Sequence, residues 1–403
     1  MIIESTKEFY NGVSVDLHTH PHLKSYMFSR SMNKKKFLSR LFKYTFWPFS
    51  HRVSLDDLKD HIDVSLATTY VLEREWLDDV PLIKFLSKLS PRFRKKILDP
   101  TYFQVTLDMM QHLEDSVNQH DGVCIARDKH HLVSKVNYGE SCIVHSVEGA
   151  HSLIGDGGPG DQKEIISNLR QLWAKGCAYL TLAHFYPNPA VESCVFPYPE
   201  PEKKNIKNFH SLAASWEESG GLTQTGVEIV EVMLELGMII DVTHMTLRGR
   251  REVYDIVDAH DKDHALMASH VGASEVHRLS YNLQDWELKW MADRGCCAGI
   301  IFMNYWLTPH HHEGNGLKYI EQTLNHMVNV AGADVPAIGS DFDGFTDPPD
   351  EMTTAADFPL IAKHLLDMGY DEITIKNFIG GNCLLYTSPS PRDRTRSRMP
   401  SSA

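Results

Sequence analysis

The stretch GLTQTGVEIVEVMLELGMIIDVTHM, residues 221–245, reads as a helix, a stop, a buried strand and a histidine at the strand's end. Between residues 225 and 236, Glu228, Glu231 and Glu235 recur at spacings of three and four, while Val227, Ile229, Val230, Val232, Met233, Leu234 and Leu236 cover the remaining surface. Such a helix packs against a sheet with only one stripe wet. Gly237 stops it, and residues 238–242 then form a short apolar run of the kind that marks a parallel strand covered on both faces.

Reading outward, seven more runs of this kind occupy residues 13–17, 64–71, 142–146, 178–183, 265–269, 298–303 and 336–339. Alternating strands and helical stretches imply parallel pairing through helical crossovers, and eight such units are what a closed (β/α)8 TIM barrel of the α/β class requires. With 403 residues and 42% apolar side chains, the chain can bury one large core, and residues 1–382 read as a single barrel domain. After Gly380-Gly381-Asn382 the text becomes CLLYTSPSPRDRTRSRMPSSA, rich in Ser, Pro and Arg. That composition cannot add to a core. It resembles a translated adaptor or vector sequence, so residues 383–403 are set aside as a non-native tail.

The balance of 53 acidic against 40 basic residues, a net charge of −13, argues against nucleic acid as a general partner. Seven cysteines without a CxxC pair indicate neither a zinc ribbon nor a disulfide framework, and a reducing compartment is the simpler reading. The first 25 residues lack the features of a signal peptide, and no run of 18 apolar residues could span a bilayer, so a cytoplasmic location is expected.

In a barrel of this kind the chemistry lies at the C-terminal ends of the strands. There the chain places His18 and His20 after the first strand, Glu148 after the third, His184 after the fourth, His244 after the fifth, His270 after the sixth and Asp341 after the eighth. In VDLHTHP the period of two turns His18 and His20 to one face, where two imidazoles can converge on one ion. Glu148 has two oxygens with which to bridge two ions, and His244 and His270 each end a strand on the same rim, where they join the ring of candidate ligands. Asp341, in GSDFDG, is placed to hold a metal-activated water or to accept its proton. Asp343 reads as a structural turn residue. His184, in YLTLAHF, could polarise a carbonyl oxygen as it gains charge.

The ordered motifs VDLHTHP, VEGAHSL, YLTLAHF, the 221–245 stretch, ASHVGA and GSDFDG resemble the membrane (renal-type) dipeptidases of the amidohydrolase superfamily, over about residues 13–382. The resemblance implies two Zn2+ ions bridged by Glu148, one also held by His18 and His20 and the other by His244 and His270. It further implies hydrolysis of a dipeptide or related small amide by a metal-bridging hydroxide, with His184 binding the scissile carbonyl and Asp341 managing the proton. Two departures bear on this. The family usually has His-x-Asp where this chain has His18 and His20, which makes the site one charge more positive and bears on the identity of the metal. The family's carboxylate-binding Arg falls on Tyr281, with Arg278 nearby but out of register, and a phenol cannot grip a carboxylate bidentately. Tyr281 and Arg278 are therefore the candidate substrate contacts, and dipeptide specificity is open. Lactone, N-acyl amino acid and cyclic-amide hydrolysis remain as alternatives.

Residues 24–52 form an insertion carrying Lys24, Arg30, Lys34, Lys35, Lys36, Arg40, Lys43 and Arg52 with no acid, mixed with aromatic residues. It reads as a lid or homodimer contact over the barrel mouth. A basic, aromatic helix could also lie on an anionic membrane surface, which leaves a catalytically silent membrane-associated binding protein as a further alternative.

Overall fold

A computed structural model describes residues 12–33, 51–79, 84–85, 87–88, 90–194, 220–260, 266–309, 316–344 and 348–385. Its strands are β1 (Val15–Thr19), β2 (Val64–Tyr70), β3 (Val123–Ile125), β4 (Ser141–Glu148), β5 (Tyr179–Thr181), β6 (Ile239–Asp241), β7 (Leu266–Val271), β8 (Cys297–Ile300) and β9 (Pro336–Ile338). All pairings between them are parallel, in the order β1-β2-β4-β5-β6-β7-β8-β9. The ring meets itself where the His20 N–H donates to the Phe342 carbonyl at 2.8 Å and the Asp341 N–H to the His18 carbonyl at 2.9 Å. This is the expected TIM barrel.

The strand absent from the sequence reading is β3. It lies off the main path, pairing only with the first residues of β4, whereas β5 pairs with the last two, Val147 and Glu148. With three residues, two of them half-buried, it leaves too short an apolar run to stand out.

Helices cover the ring, among them α1 (Leu23–Phe28), α2 (Leu55–His61), α3 (Tyr102–Val117), α4 (Lys129–Asn137), α5 (Gln162–Ala174), α6 (Gln224–Leu236), α7 (Leu247–His260), α8 (Asp285–Asp293), α9 (Gly316–Ala331) and α10 (Pro359–Asp367). Helix α6 behaves as its pattern demands. The Thr223 hydroxyl caps it by accepting from the Gly226 N–H at 2.9 Å. Its apolar face is buried through Ile229, Val230, Met233 and Leu234, while Glu231 and Glu235 stay exposed and Glu235 pairs with Arg170 of α5 at 2.7 Å. Gly237 closes it with φ 66°, a left-handed conformation that suits glycine.

One large apolar core joins the helices to the outside of the barrel. A second cluster gathers residues from the starts of the strands, including Val64, Cys142, Tyr179, Met267, Cys297 and Ala337, and so plugs the N-terminal end. Cys383 belongs to that plug, 7% exposed, on a final short helix Asn382–Leu385. The chain's contribution to the core thus runs slightly past the Asn382 boundary expected from composition.

The insertion can be placed only in part. Residues 34–50, with Lys34, Lys35, Lys36, Arg40 and Lys43, lie outside the described residues. Its two ends, however, are tied into the barrel. Lys24 is 5% exposed and donates to Asp343 Oδ1 at 2.7 Å; Arg52 is 6% exposed and donates through Nη1 to the Thr353 carbonyl at 3.1 Å. Neither cation is available to an anionic surface. Asp343, buried beyond β9, gathers Lys24, the backbone N–H groups of Arg52 and Val53, and the His51 ring around one carboxylate. Among the described residues, no helix is long and apolar enough to cross a membrane.

Candidate metal centre

The strand ends deliver the predicted residues to one place. His18 lies within β1, and His20, one residue beyond it, is kept extended by its backbone bond to Phe342, so that the two Nε2 atoms come within 3.0 Å. His270, within β7, and His244, after β6, bring their Nε2 atoms to 3.1 Å. Glu148, the last residue of β4, stands between the pairs. Its Oε1 lies 3.2 Å from His244 and 3.5 Å from both His18 and His270, and its Oε2 lies 3.5 Å from His20 and 3.7 Å from His184. The two imidazole pairs form as expected, but the carboxylate does not give one oxygen to each pair, since Oε1 also faces His18.

Asp341 closes the ring, with Oδ1 3.2 Å from His20 Nε2 and 3.8 Å from His18 Nε2. That is near enough for a ligand role beside His18 and His20 as well as the proton role read from sequence. Asp341 and His244 take φ values of 55° and 67°, a left-handed backbone that costs a non-glycine residue on the order of 1–2 kcal/mol. The turn after Asp341 is equally constrained. A Cβ on Gly344 would sit 1.9 Å from Asp341 Oδ1 and 2.8 Å from a His20 ring carbon, so only glycine leaves room for this carboxylate.

The hydrogen bonds behind the ring fix which ring nitrogens carry protons. His20 Nδ1 faces the Thr68 carbonyl at 2.9 Å, which can only accept, so the proton is on Nδ1 and the Nε2 lone pair points into the cluster. The Ser269 hydroxyl donates to Asp241 Oδ2 at 2.6 Å and therefore accepts from His270 Nδ1 at 2.8 Å, leaving the His270 Nε2 lone pair inward as well. His18 Nδ1 meets the Tyr179 hydroxyl at 2.8 Å. Glu148 Oε1 is buried with no hydrogen-bond donor. Inward lone pairs with an orphaned carboxylate oxygen make a donor set of imidazoles and carboxylates, suited to zinc and its neighbours among the divalent ions.

Electrostatics agree with a cation-ready site. Burial works against charge on Glu148, yet His18 and His184 hold its carboxyl well below the ordinary range. Burial likewise opposes charge on His18, but Glu148, Asp341 and Asp241 together raise its pKa. Burial, with His18 beside it, pushes His270 well down, keeping that ring neutral and free to ligate. Beneath the ring, burial lifts Asp16 to about 7 despite hydrogen bonds from Ser340 and the His18 backbone.

His184 reaches the cluster beside Glu148, Phe185 and His244. Sequence reasoning missed its partner. Glu73, just past β2, accepts from His184 Nδ1 at 2.8 Å and from the Tyr70 hydroxyl at 2.6 Å. Its carboxyl is held down to about 2: burial opposes the charge, but His184 and His151 outweigh it. The available signal was positional, because the second strand was the one early strand of the barrel with no chemical residue assigned to its end.

The two candidate substrate contacts fare differently. Tyr281 is buried, packs tilted against Trp306 with ring centroids 3.8 Å apart and lies 5.1 Å from His244, but its hydroxyl donates to the His270 carbonyl at 2.6 Å. The hydroxyl is thus spent on backbone, and what Tyr281 offers the site is a ring. Arg278 is exposed on the same loop and is not brought into the cluster.

Residues 50–388 match the model for the membrane dipeptidase family, peptidase family M19. That match begins after β1, so His18 and His20 join the site on geometry alone. An uncharacterized protein in the pqqA 5' region of Klebsiella pneumoniae is 31% identical over 176 residues, 43% of this chain and 63% of its own length. The dipeptidase verJ of Clonostachys rogersoniana is 26% identical over 264 residues, 66% of this chain and 59% of its own. The chain thus spans about three fifths of the length of these relatives. Among solved structures, the metallopeptidase dipeptidase AC aligns with a TM-score of 0.70 at 19% identity, over 94% of this chain and 99% of that one. A metallopeptidase from Rhodobacter sphaeroides, bound to a phosphinate mimic of the dipeptide L-Ala-D-Ala, aligns with a TM-score of 0.69 at 18% identity, over the same shares of the two chains. At such identities the structural likeness is one of fold. The match to the family model over most of the chain decides the matter: the chain belongs to the membrane dipeptidase family, peptidase family M19.

Proposed function

We propose that the chain is a metallohydrolase of dipeptides or related small amides, holding two zinc ions between His18, His20, Glu148, His244 and His270. The observation that carries this reading is Glu148, whose two oxygens face five imidazoles at 3.2–3.7 Å in a buried ring. When bound, zinc supplies a water of lowered pKa and polarises a carbonyl oxygen. The chain's own groups do the rest. His184 Nε2, on the Glu148 side of the ring, is placed to donate to the carbonyl oxygen as it gains charge. Asp341, beside His20, is placed to take the proton released by the attacking water and pass it to the leaving amine. His18, Glu148, His244 and His270 are each at most 3% exposed, which excludes bulk water and strengthens each of these interactions.

Phe185, Tyr281 and Trp306 stand around His244 as an aromatic wall. This favours small substrates with an apolar group, so N-acyl amino acids, cyclic amides and lactones belong in the test beside dipeptides. The experiment is elemental analysis of protein purified without chelator, paired with turnover on that panel. Near two zinc ions per chain with amide hydrolysis supports the proposal. No turnover on any member after zinc addition overturns it.

A further inference from the structure

Glu73 is 2% exposed, yet its carboxylate collects four donors. Oε1 accepts from His184 Nδ1 at 2.8 Å and the Phe185 N–H at 3.2 Å; Oε2 accepts from the Tyr70 hydroxyl at 2.6 Å and Trp76 Nε1 at 3.0 Å. A carboxylate with four donors is fixed in place, and it can only accept, so His184 must carry a proton on Nδ1, and a ring that also donates from Nε2 is the imidazolium. Tyr70, Phe185 and His244 then hold the ring, with centroids at 4.4, 3.8 and 4.7 Å. One ring atom remains for chemistry. It is Nε2, 3.7 Å from Glu148 Oε2.

We infer that Glu73 is the positioning residue for His184: it sets the ring's orientation, dedicates Nε2 to the substrate carbonyl and balances the positive charge the ring bears while donating to a developing oxyanion. The logic is that of a buried carboxylate behind a catalytic imidazole, where the carboxylate orients and stabilises without itself reacting. The inference rests on the hydrolase reading for its kinetic consequence, but the hydrogen bond can be tested without it. A purely structural role is the competing account, since Glu73 also ties together the Tyr70, Trp76 and Phe185 segments.

The test uses the full zinc-loaded chain and the variants Glu73→Gln, Glu73→Asp, His184→Ala and the double variant Glu73→Gln/His184→Ala. On the best hydrolysed substrate, Glu73→Gln is expected to lower kcat by about 10²–10³-fold, the scale of losing one oxyanion donor. KM should stay within about threefold, because the contact strengthens only as charge develops. Affinity for a phosphinate dipeptide analogue should fall in parallel with kcat/KM while zinc content is unchanged. Glu73→Asp, which keeps the charge, should recover part of the loss. In the His184→Ala background, Glu73→Gln should have no further effect. Equal losses in both backgrounds, or loss of zinc along with activity, would show a structural role and overturn the inference.

Long-range 1H–15N spectra of histidine-labelled, metal-free protein give an independent readout. Wild-type His184 should be protonated at Nδ1, and Glu73→Gln should shift or lose that signal. If the wild type turns over nothing, the hydrolase reading fails and the spectra alone decide the Glu73–His184 assignment. A bare Nδ1 in the wild type overturns it.

Discussion

Replacing Lys24 by Met removes the ammonium 2.7 Å from Asp343 Oδ1 while nearly keeping side-chain shape. Asp343, 1% exposed, would keep the Arg52 and Val53 N–H groups at 2.9 and 3.0 Å and His51 Nδ1 at 3.2 Å. Breaking a buried ion pair on one side costs about 3–5 kcal/mol, and the three surviving donors place this case near 3. At an unfolding entropy of about 2.1 cal/mol/K per residue, a chain of this size should lose about 4 °C in Tm. Asp343→Asn should cost a similar amount by removing the charge that faces Lys24, and the double variant should be milder than the sum by about 2 kcal/mol. Acidity supplies a second handle. Burial opposes charge on Asp343, but Lys24 and His51 hold its carboxyl far below the ordinary 3.8. A depressed folded pKa gives stability that is complete above the unfolded value and is lost as pH falls through the folded one. The wild type's advantage over Asp343→Asn should therefore be full at neutral pH and shrink in acid. Thermal unfolding of the three variants across pH measures all of this. Additive single effects, or a Lys24→Met shift under about 1 °C, would refute the reasoning.

Other perturbations probe the site. Chelation should abolish turnover and lower Tm, and zinc should restore both, since a ligand at a hundred times its Kd adds about 2.7 kcal/mol of stability; restoration of neither would count against the metal centre. Gly344→Ala places a methyl against Asp341 Oδ1 and should lower kcat at least about tenfold by displacing the carboxylate proposed to handle the proton, a fall that steady-state kinetics would reveal. Tyr281→Phe leaves the His270 carbonyl without its 2.6 Å donor and should cost about 1–2 kcal/mol in stability. Because only the ring of Tyr281 faces the site, its KM for uncharged substrates should stay within about threefold; a larger rise would return the hydroxyl to substrate binding.

Much of this protein was legible in its order of residues. Periodicity along α6 and the short apolar runs were enough for a parallel barrel, because burial on both faces of a strand leaves an unbroken apolar signature. That His18, His20, Glu148, His184, His244, His270 and Asp341 come together was legible because a barrel places the ends of all its strands on one rim, so position along the chain translates directly into proximity. What remained hidden depended on contacts between distant segments. Glu73 was indistinguishable from any other polar residue after a strand until the fold set it against His184, 111 positions away. Lys24 looked like part of a basic surface until Asp343, 319 positions away, proved to be its partner. Tyr281 lost its hydroxyl to a backbone carbonyl that no pattern announces. Local sequence determines which segments are strands and what stands at their ends, since that follows from side-chain period and burial. Which proton sits on which ring, and which charge is neutralised inside, only the tertiary structure decided, because those depend on hydrogen bonds closed between residues that sequence alone leaves far apart.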